Sequence, residues 1–206
     1  MKLDVKKQIA TYTAPRGRFE VVTVPPQTFL MVDGHGDPDS DPRYEQALGS
    51  LYPVAYALKF LSRTELDRDY VVPPLEGLWW ADDPAAFTSE RDKSRWSWTM
   101  MILTPDWITD YHLDRARSSV AAKGGAPLLD EVRLESLDEG RCVQTLHVGP
   151  YDAEGPVLAA MHDEFIPSHG LRMTGRHHEI YLGDPRRTAP ERLRTILRQP
   201  VEADTP

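Results

Sequence analysis

The sequence predicts an α+β fold of two similar halves, each with strands on either side of one helix, forming mostly antiparallel sheet with its helices on one side. Three observations predict it. Two stretches, Phe19 to Val32 and Val132 to Val148, alternate apolar and polar residues around a central break. Each ends near a glycine that a helical pattern follows, and superposing Gly36 on Gly149 also lays Pro25-Pro26 over Asp138-Glu139. After each helix come two more strand-like runs. The 206 residues are 40% hydrophobic and 27% charged, so a packed core is affordable and a disordered chain is excluded.

The elements follow in order. Phe19 to Val32 reads as two paired strands about Pro25-Pro26, closing at Asp33-Gly34-His35-Gly36. Asp41 is placed as an N-cap with Pro42 at the first helical position. Tyr44, Leu48, Leu51, Ala55 and Leu58 then form an apolar stripe, which Pro53 is expected to kink or shorten. Strands are expected at Gly77 to Ala81 and Arg95 to Leu103, with a polar loop over 82–94 between them. A helix beginning at Thr104-Pro105, with Ile108, Tyr111 and Val120 on its inner side and Gly124-Gly125 at its end, joins the halves. In the second half Val132 to Leu137 and Arg141 to Val148 flank Asp138-Glu139-Gly140. Asp152 precedes a helix carrying Leu158, Met161 and Phe165 that stops near Gly170. Strands at His177 to Leu182 and Leu193 to Leu197 complete the pattern β-β-α-β-β, helix, β-β-α-β-β.

Charge and composition narrow the function. The net charge is −8, the wrong sign for a domain that neutralises phosphates or an anionic membrane surface. The single cysteine, Cys142, excludes an intrachain disulfide framework and suits a reducing compartment. Met1 to Tyr12 has no signal-peptide core and no stretch approaches ~18 apolar residues, so a cytoplasmic location is expected.

The chemistry of the sequence is aromatic with one acid. Of five tryptophans, Trp79, Trp80, Trp96 and Trp98 lie on the two strands after the first helix. Alternation puts Trp79 and Trp80 on opposite faces, and groups Trp96, Trp98, Met100 and Ile102 on one face. On the matching strand of the second half, His177, Glu179 and Tyr181 share a face, and His178, Ile180 and Leu182 share the other. Ile180 and Leu182 suit the helix side, which sends Glu179 to the opposite face, where a buried carboxylate needs a partner. Halves that faced one another would then close a cleft at a pseudo-twofold seam. Aromatic walls around one carboxylate suit flat, hydrophobic or cationic ligands.

Pro74-Leu75-Glu76-Gly77-Leu78-Trp79-Trp80, Trp96-Ser97-Trp98-Thr99 with Pro105-Asp106-Trp107-Ile108, Gly149-Pro150-Tyr151-Asp152, and His177-His178-Glu179-Ile180-Tyr181-Leu182-Gly183-Asp184-Pro185 resemble the stand-alone GyrI-like small-molecule-binding proteins. The resemblance spans about Phe19 to Leu197. It implies tandem duplicated β-α-β-β modules around a central ligand cleft, as in the effector domains of multidrug-responsive regulators. The implied layout is an N-terminal extension over 1–18, one domain over 19–198 with pseudo-repeats at about 19–104 and 131–198 linked by a helix at 105–123, and a tail over 199–206. Glu179 matches the strand glutamate that meets cationic aromatic ligands in that wider family. The double-tryptophan motif resembles a subset that hydrolyses the cyclopropane ring of DNA-alkylating cyclopropanoid natural products. The expected site has Glu179 and Tyr181 at the reacting centre, with Trp79, Trp80, Trp98, Met100, Tyr111, Tyr151 and His177 around the ligand.

Other chemistries fit less well. His177 and His178 point to opposite faces and cannot chelate one ion, and there is no HExxH pair, Gly-x-Ser-x-Gly elbow or phosphate-cradling loop. Cys142 reads as a buried structural thiol. Arg172, Arg176, Arg186, Arg187, Arg192, Arg194 and Arg198 read as solvated faces, and too few residues precede the first strand for a helix-turn-helix. No cofactor or metal is called for. A binder of flat aromatic xenobiotics and a hydrolase acting through Glu179 both remain, with a protein partner or homodimer left open.

Overall fold

A computed structural model describes residues 2–83 and 92–204; most of the loop expected over 82–94 lies outside the described residues. A helical turn, α1 (Val5–Gln8), precedes β1 (Glu20–Val24) and β2 (Gln27–His35). Then come α2 (Pro42–Glu65), β3 (Leu75–Trp80), β4 (Ser97–Leu103) and α3 (Asp110–Ala121). The second half holds β5 (Arg133–Leu137), β6 (Gly140–Val148), α4 (Gly155–Ala159), a π-turn segment (Ala160–Phe165), α5 (Ile166–Ser168), β7 (Leu171–Met173), β8 (His177–Tyr181) and β9 (Arg194–Ala203).

The strands form one antiparallel sheet in the order β1-β6-β9-β8-β3-β4-β2-β5, with β7 on β9. Read from either end, this order visits corresponding strands of the two halves in the same succession, so a pseudo-twofold axis passes between β8 and β3. The halves therefore lie side by side, rather than face to face as the sequence suggests. The expected β1–β2 pairing also gives way to an exchange: β1 pairs with β6 of the second half, and β5 with β2 of the first. Pro25 and Pro26 explain this, because a ring-locked φ near −65° cannot supply the positive φ of a two-residue hairpin turn. The chain stays extended and its first strand crosses to the other half.

Helix α2 starts as its sequence dictates, with Asp41 Oδ1 accepting the Arg43 backbone N–H at 2.8 Å and Pro42 at the first turn. It runs through Pro53 without shortening, burying Ala47, Leu51, Val54, Ala55 and Leu58 against Leu30, Val32, Trp98, Met100 and Ile102. The second-half helix departs further from expectation. Asp152 lies within a 3₁₀ turn (Tyr151–Ala153), the helix begins at Gly155-Pro156, and it widens into the π segment. Pro167, which has no N–H and whose ring would strike the carbonyl of residue 163, accounts for the loss of regular α-helix there. Helix α3 buries Leu113, Ala116 and Val120. Tyr111, two residues and roughly 200° around the helix from Leu113, is consequently 64% exposed, which corrects its expected inward placement. Strand β9 runs past the expected end at Leu197 to Ala203, into what the sequence reads as a tail.

Both helical layers cover one face of the sheet, α2 over the first half and the 155–168 segment over the second, where Met161 and Ile166 meet Val143 and Leu197. The other face carries Phe29, Met31, Leu78, Met101, Leu103, Ile180 and Ile196 beneath Val5, Tyr12 and Ala14 of the N-terminal segment. Ile180 is thus on the face opposite the helices, and Glu179 on the helix side, the reverse of the expected assignment.

Under the N-terminal segment lies a buried ionic chain. Tyr12 donates to Glu76 Oε1, while His178 places Nε2 2.9 Å from Glu76 Oε2 and Nδ1 2.9 Å from Glu139 Oε1. Arg198 Nη1 donates to Glu139 Oε2 at 2.9 Å, Nε to Gln144 Oε1 at 3.2 Å and Nη2 to the Thr11 carbonyl at 2.8 Å. Arg198 is 1% exposed, a correction to its reading as a solvated side chain, and each charge has an opposite partner as burial demands. Burial alone would lower the His178 pKa, but Glu139 and Glu76 raise it above its ordinary 6.5. Burial alone would raise Glu139, but His178 and Arg198 hold it down at about 2. Among the described residues no helix is long and apolar enough to cross a membrane.

Two outcomes follow from this packing. A Cβ at Gly34 would lie 2.0 Å from Trp98 Cη2, so Gly34→Ala should cost about 1–3 kcal/mol or more in urea unfolding; an unchanged midpoint would contradict the packing. The joint contribution of His178 and Glu139 to stability against urea should also be greatest between about pH 4.5 and 6.5, the unshifted values of the two groups. The raised His178 pKa contributes stability that is lost as pH rises through its folded value, and the depressed Glu139 pKa contributes stability lost as pH falls toward about 2.

Candidate functional site

Strands β3 and β8 meet at the pseudo-twofold axis with Gly77 opposite Glu179 and Trp79 opposite His177. Directly paired residues of an antiparallel ladder point to the same face, so Trp79, His177, Glu179 and Tyr181 all rise on the helix side. A hydrogen-bond chain joins Trp79, Tyr181 and Glu179. Trp79 Nε1–H donates to Tyr181 Oη at 2.9 Å, and Tyr181 O–H donates to Glu179 Oε2 at 2.8 Å. Glu179 Oε1 stands 3.7 Å from His177 Nε2, and the glutamate side chain is 12% exposed.

Gly77 makes this arrangement possible. A Cβ there would fall 2.4 Å from Met100 Cε, 2.8 Å from Trp79 Nε1 and 3.1 Å from Tyr181 Oη, so only a bare backbone lets the three side chains converge above it. Met100 is thereby packed against the junction.

Rings from both halves surround the acid. Tyr44 of α2 stacks on Trp79 at 6.5 Å and meets Trp98 edge-on at 5.4 Å; Trp96 meets Trp79 at 5.9 Å. From the second half Tyr151 packs edge-on to Tyr181 at 5.5 Å, and His162, carried inward on the π segment, lies 5.7 Å from His177. Lys93 links the loops that lead into the two helical layers, reaching Asp39 at 2.6 Å and Asp152 at 3.4 Å. Burial, then the Glu179 charge, raises the Tyr181 hydroxyl well above its usual pKa, and burial with Glu154 nearby pushes Tyr151 up to about 12. Burial, reinforced by His162, lowers His177 well below its usual value. At neutral pH the phenols keep their protons and His177 is uncharged.

Of the expected site residues, Glu179, Tyr181, Trp79, Met100, Tyr151 and His177 gather here. Trp98 shares the face but is fully buried, its indole N–H spent on the Gly36 carbonyl at 3.2 Å, so it is a floor beneath Tyr44 rather than an open wall. Trp80 lies on the opposite face under the Arg176 guanidinium, 3.7 Å from its ring, because its neighbour Trp79 takes the helix side. Tyr111 sits outside, against Arg115. Sequence reasoning missed Tyr44 and His162. Tyr44 shows only as part of an apolar stripe, while His162 is turned inward by a π-turn that periodicity does not reveal. Among the described residues no cluster of three or more metal-ligating side chains occurs. A hollow of about 350 Å³ between Pro53, Tyr56, Phe60 and Val120 shares none of these residues.

Comparison with known proteins agrees with the fold. The GyrI-like small molecule binding domain matches residues 18–202, and the chain belongs to that family. A solved structure of an uncharacterized conserved protein from Listeria innocua is similar at 42% identity and a TM-score of 0.88, covering 98% of this chain and 100% of its own. A structure described as a hydrolase from the same organism is similar at 41% identity and a TM-score of 0.84, with the same coverage. The EcmrR C-terminal domain shares the fold at a TM-score of 0.55 and 10% identity, over 90% of this chain and 98% of its own. No curated protein matches the chain. Small-molecule binding, and the α+β fold of duplicated modules, are thus properties of this protein.

Gly77→Ala should expel Trp79 or Tyr181 from the junction. Near-UV circular dichroism and tryptophan emission should both change while the far-UV spectrum persists; unaltered tryptophan signals would contradict the close approach at Gly77.

Proposed function

We propose that this chain binds a flat hydrophobic or cationic aromatic small molecule over the β3–β8 junction, between α2 and the 155–168 segment, and removes it from circulation by sequestration or detoxification in the cytoplasm. The observation that carries the reading is the chain Trp79–Tyr181–Glu179 inside a ring of aromatic side chains from both halves. Aromatic faces provide stacking area for any planar ligand, and the one carboxylate adds attraction for a cation. The acidic net charge opposes nucleic acid as a partner.

Hydrolysis is the second reading, supported by the hydrolase description of a relative 41% identical and by the way Tyr181 holds Glu179. In this reading Glu179 takes a proton from water as the water oxygen attacks the CH₂ carbon of a strained cyclopropane. The ring C–C bond breaks, its electron pair moves into the conjugated carbonyl system as a phenolate, and that oxygen is then protonated. Tyr181, whose O–H is already directed at Glu179, positions the base instead of meeting the oxyanion.

Planar aromatic compounds should quench tryptophan fluorescence at micromolar levels, about −8 kcal/mol. Tyr151→Ala should weaken neutral and cationic ligands alike by roughly 2- to 10-fold, as expected for one lost aromatic contact. Glu179→Gln should weaken cations selectively and, if water is activated here, lower turnover of a cyclopropanoid substrate by about 10²- to 10⁴-fold, followed by mass spectrometry. Turnover unchanged in Glu179→Gln rejects the base, cation affinity unchanged as well leaves Glu179 a structural residue, and affinity unchanged in Tyr151→Ala rejects the site.

A further inference from the structure

On the face away from the ligand, the strands that build the junction also carry the buried ionic chain. His178 stands between His177 and Glu179 on β8, and Glu76 directly precedes Gly77 on β3. We propose that this chain is a positioning device: His178, as an imidazolium, holds β8 against β3 and so sets where Glu179, Tyr181 and Trp79 stand, making ligand affinity depend on the His178 proton. The proposal rests on the junction being the ligand site.

The geometry specifies the proton count. Both ring nitrogens of His178 lie 2.9 Å from carboxylate oxygens, one from Glu76 and one from Glu139. An ionised carboxylate only accepts, and a neutral imidazole has one N–H, so only the doubly protonated ring fills both bonds. Removing one proton sets a lone pair against a carboxylate oxygen in fully buried surroundings, where like charges repel most strongly. One of the two bonds must then open. The Glu76 bond crosses from β8 to β3 under the junction, as the Trp79–Tyr181 bond crosses above it.

The groups facing His178 from each neighbouring element are few. They are Glu76 from β3, Glu139 from the β5–β6 link, Arg198 from β9, Tyr12 from the N-terminal segment and His177 beside it on β8. Gln144 of β6 connects Arg198 onward to Glu20 of β1 at 3.0 Å. Two carboxylates balance one imidazolium and one guanidinium. For stability alone apolar side chains would serve as well in such a place, since desolvation consumes most of what buried pairing returns. A directional bond across the junction is what apolar packing does not supply.

A neutral probe, 9-anthracenemethanol, separates positioning from charge, because loss of the imidazolium would strengthen binding of a cation through simple electrostatics. Its affinity for the whole chain, read by tryptophan quenching from pH 5 to 9, should be constant while His178 is protonated. It should fall tenfold or more as the His178 ring titrates by NMR, with the near-UV circular dichroism still that of a folded protein. Glu76→Gln removes one of the two carboxylates that demand the second proton, so the affinity and NMR midpoints should move together to lower pH. Affinity that stays flat through the His178 titration overturns the proposal, as does an affinity midpoint in Glu76→Gln that fails to follow the ring. Should Glu76→Gln not fold, the wild-type comparison of affinity with NMR decides alone. Tyr151→Ala keeps the two readings apart. Probe binding indifferent to Tyr151→Ala unseats the junction as the site, whereas binding that depends on Tyr151 but ignores pH overturns only the positioning role.

Discussion

The pairing of β3 with β8 is the interaction on which the rest of the structure depends. It merges two halves into one sheet, and its register assigns every residue of the two strands to a face. Gly77 opposite Glu179 leaves room on the helix side for Met100, Trp79 and Tyr181 to converge, and a slip of one residue by either strand would turn that strand's other side chains there. The aromatic enclosure and the buried ionic chain are two consequences of one ladder.

That ladder is supported by exchange between the halves. Because β1 joins β6 and β5 joins β2, each half completes the outer part of the other's sheet, and neither can keep all its strand partners alone. The N-terminal segment closes the remaining face. Its Tyr12 and the Thr11 carbonyl satisfy Glu76 and Arg198, groups that would otherwise be buried with bonds unmade. An isolated buried charge is far costlier than a paired one, so the segment and the ionic chain require each other.

Membership of the GyrI-like family gives this chain duplicated modules, and the candidate site stands at the seam between them. Duplicated modules related by a twofold bring side chains of both halves together at the axis, where β3 pairs with β8. The two halves contribute to that junction unequally. Tyr44, Trp79 and Trp96 come from the first, while Tyr151, Glu179, Tyr181 and His177 come from the second, so the aromatic floor and the acid meet only through the assembled sheet.

Several features are legible in the residues alone. The duplication, the Asp41-Pro42 helix start, the alternation that separates Trp79 from Trp80 and His177 from His178, and the grouping of Glu179 with Tyr181 all follow from local rules of period and capping. Most of the site residues follow as well, because the motifs that resemble the family carry them. What the sequence by itself could not decide is which face is which. Alternation determines that Glu179 and Ile180 diverge, but only packing of α2 and the 155–168 segment on one face and of Tyr12 on the other tells which way each points. The strand exchange, the inward turn of His162 and the burial of Arg198 beside Glu139 were likewise settled by tertiary structure. Each depends on partners dozens of residues away, and a charged side chain in a strand reads as solvated until the residues that neutralise it are brought against it.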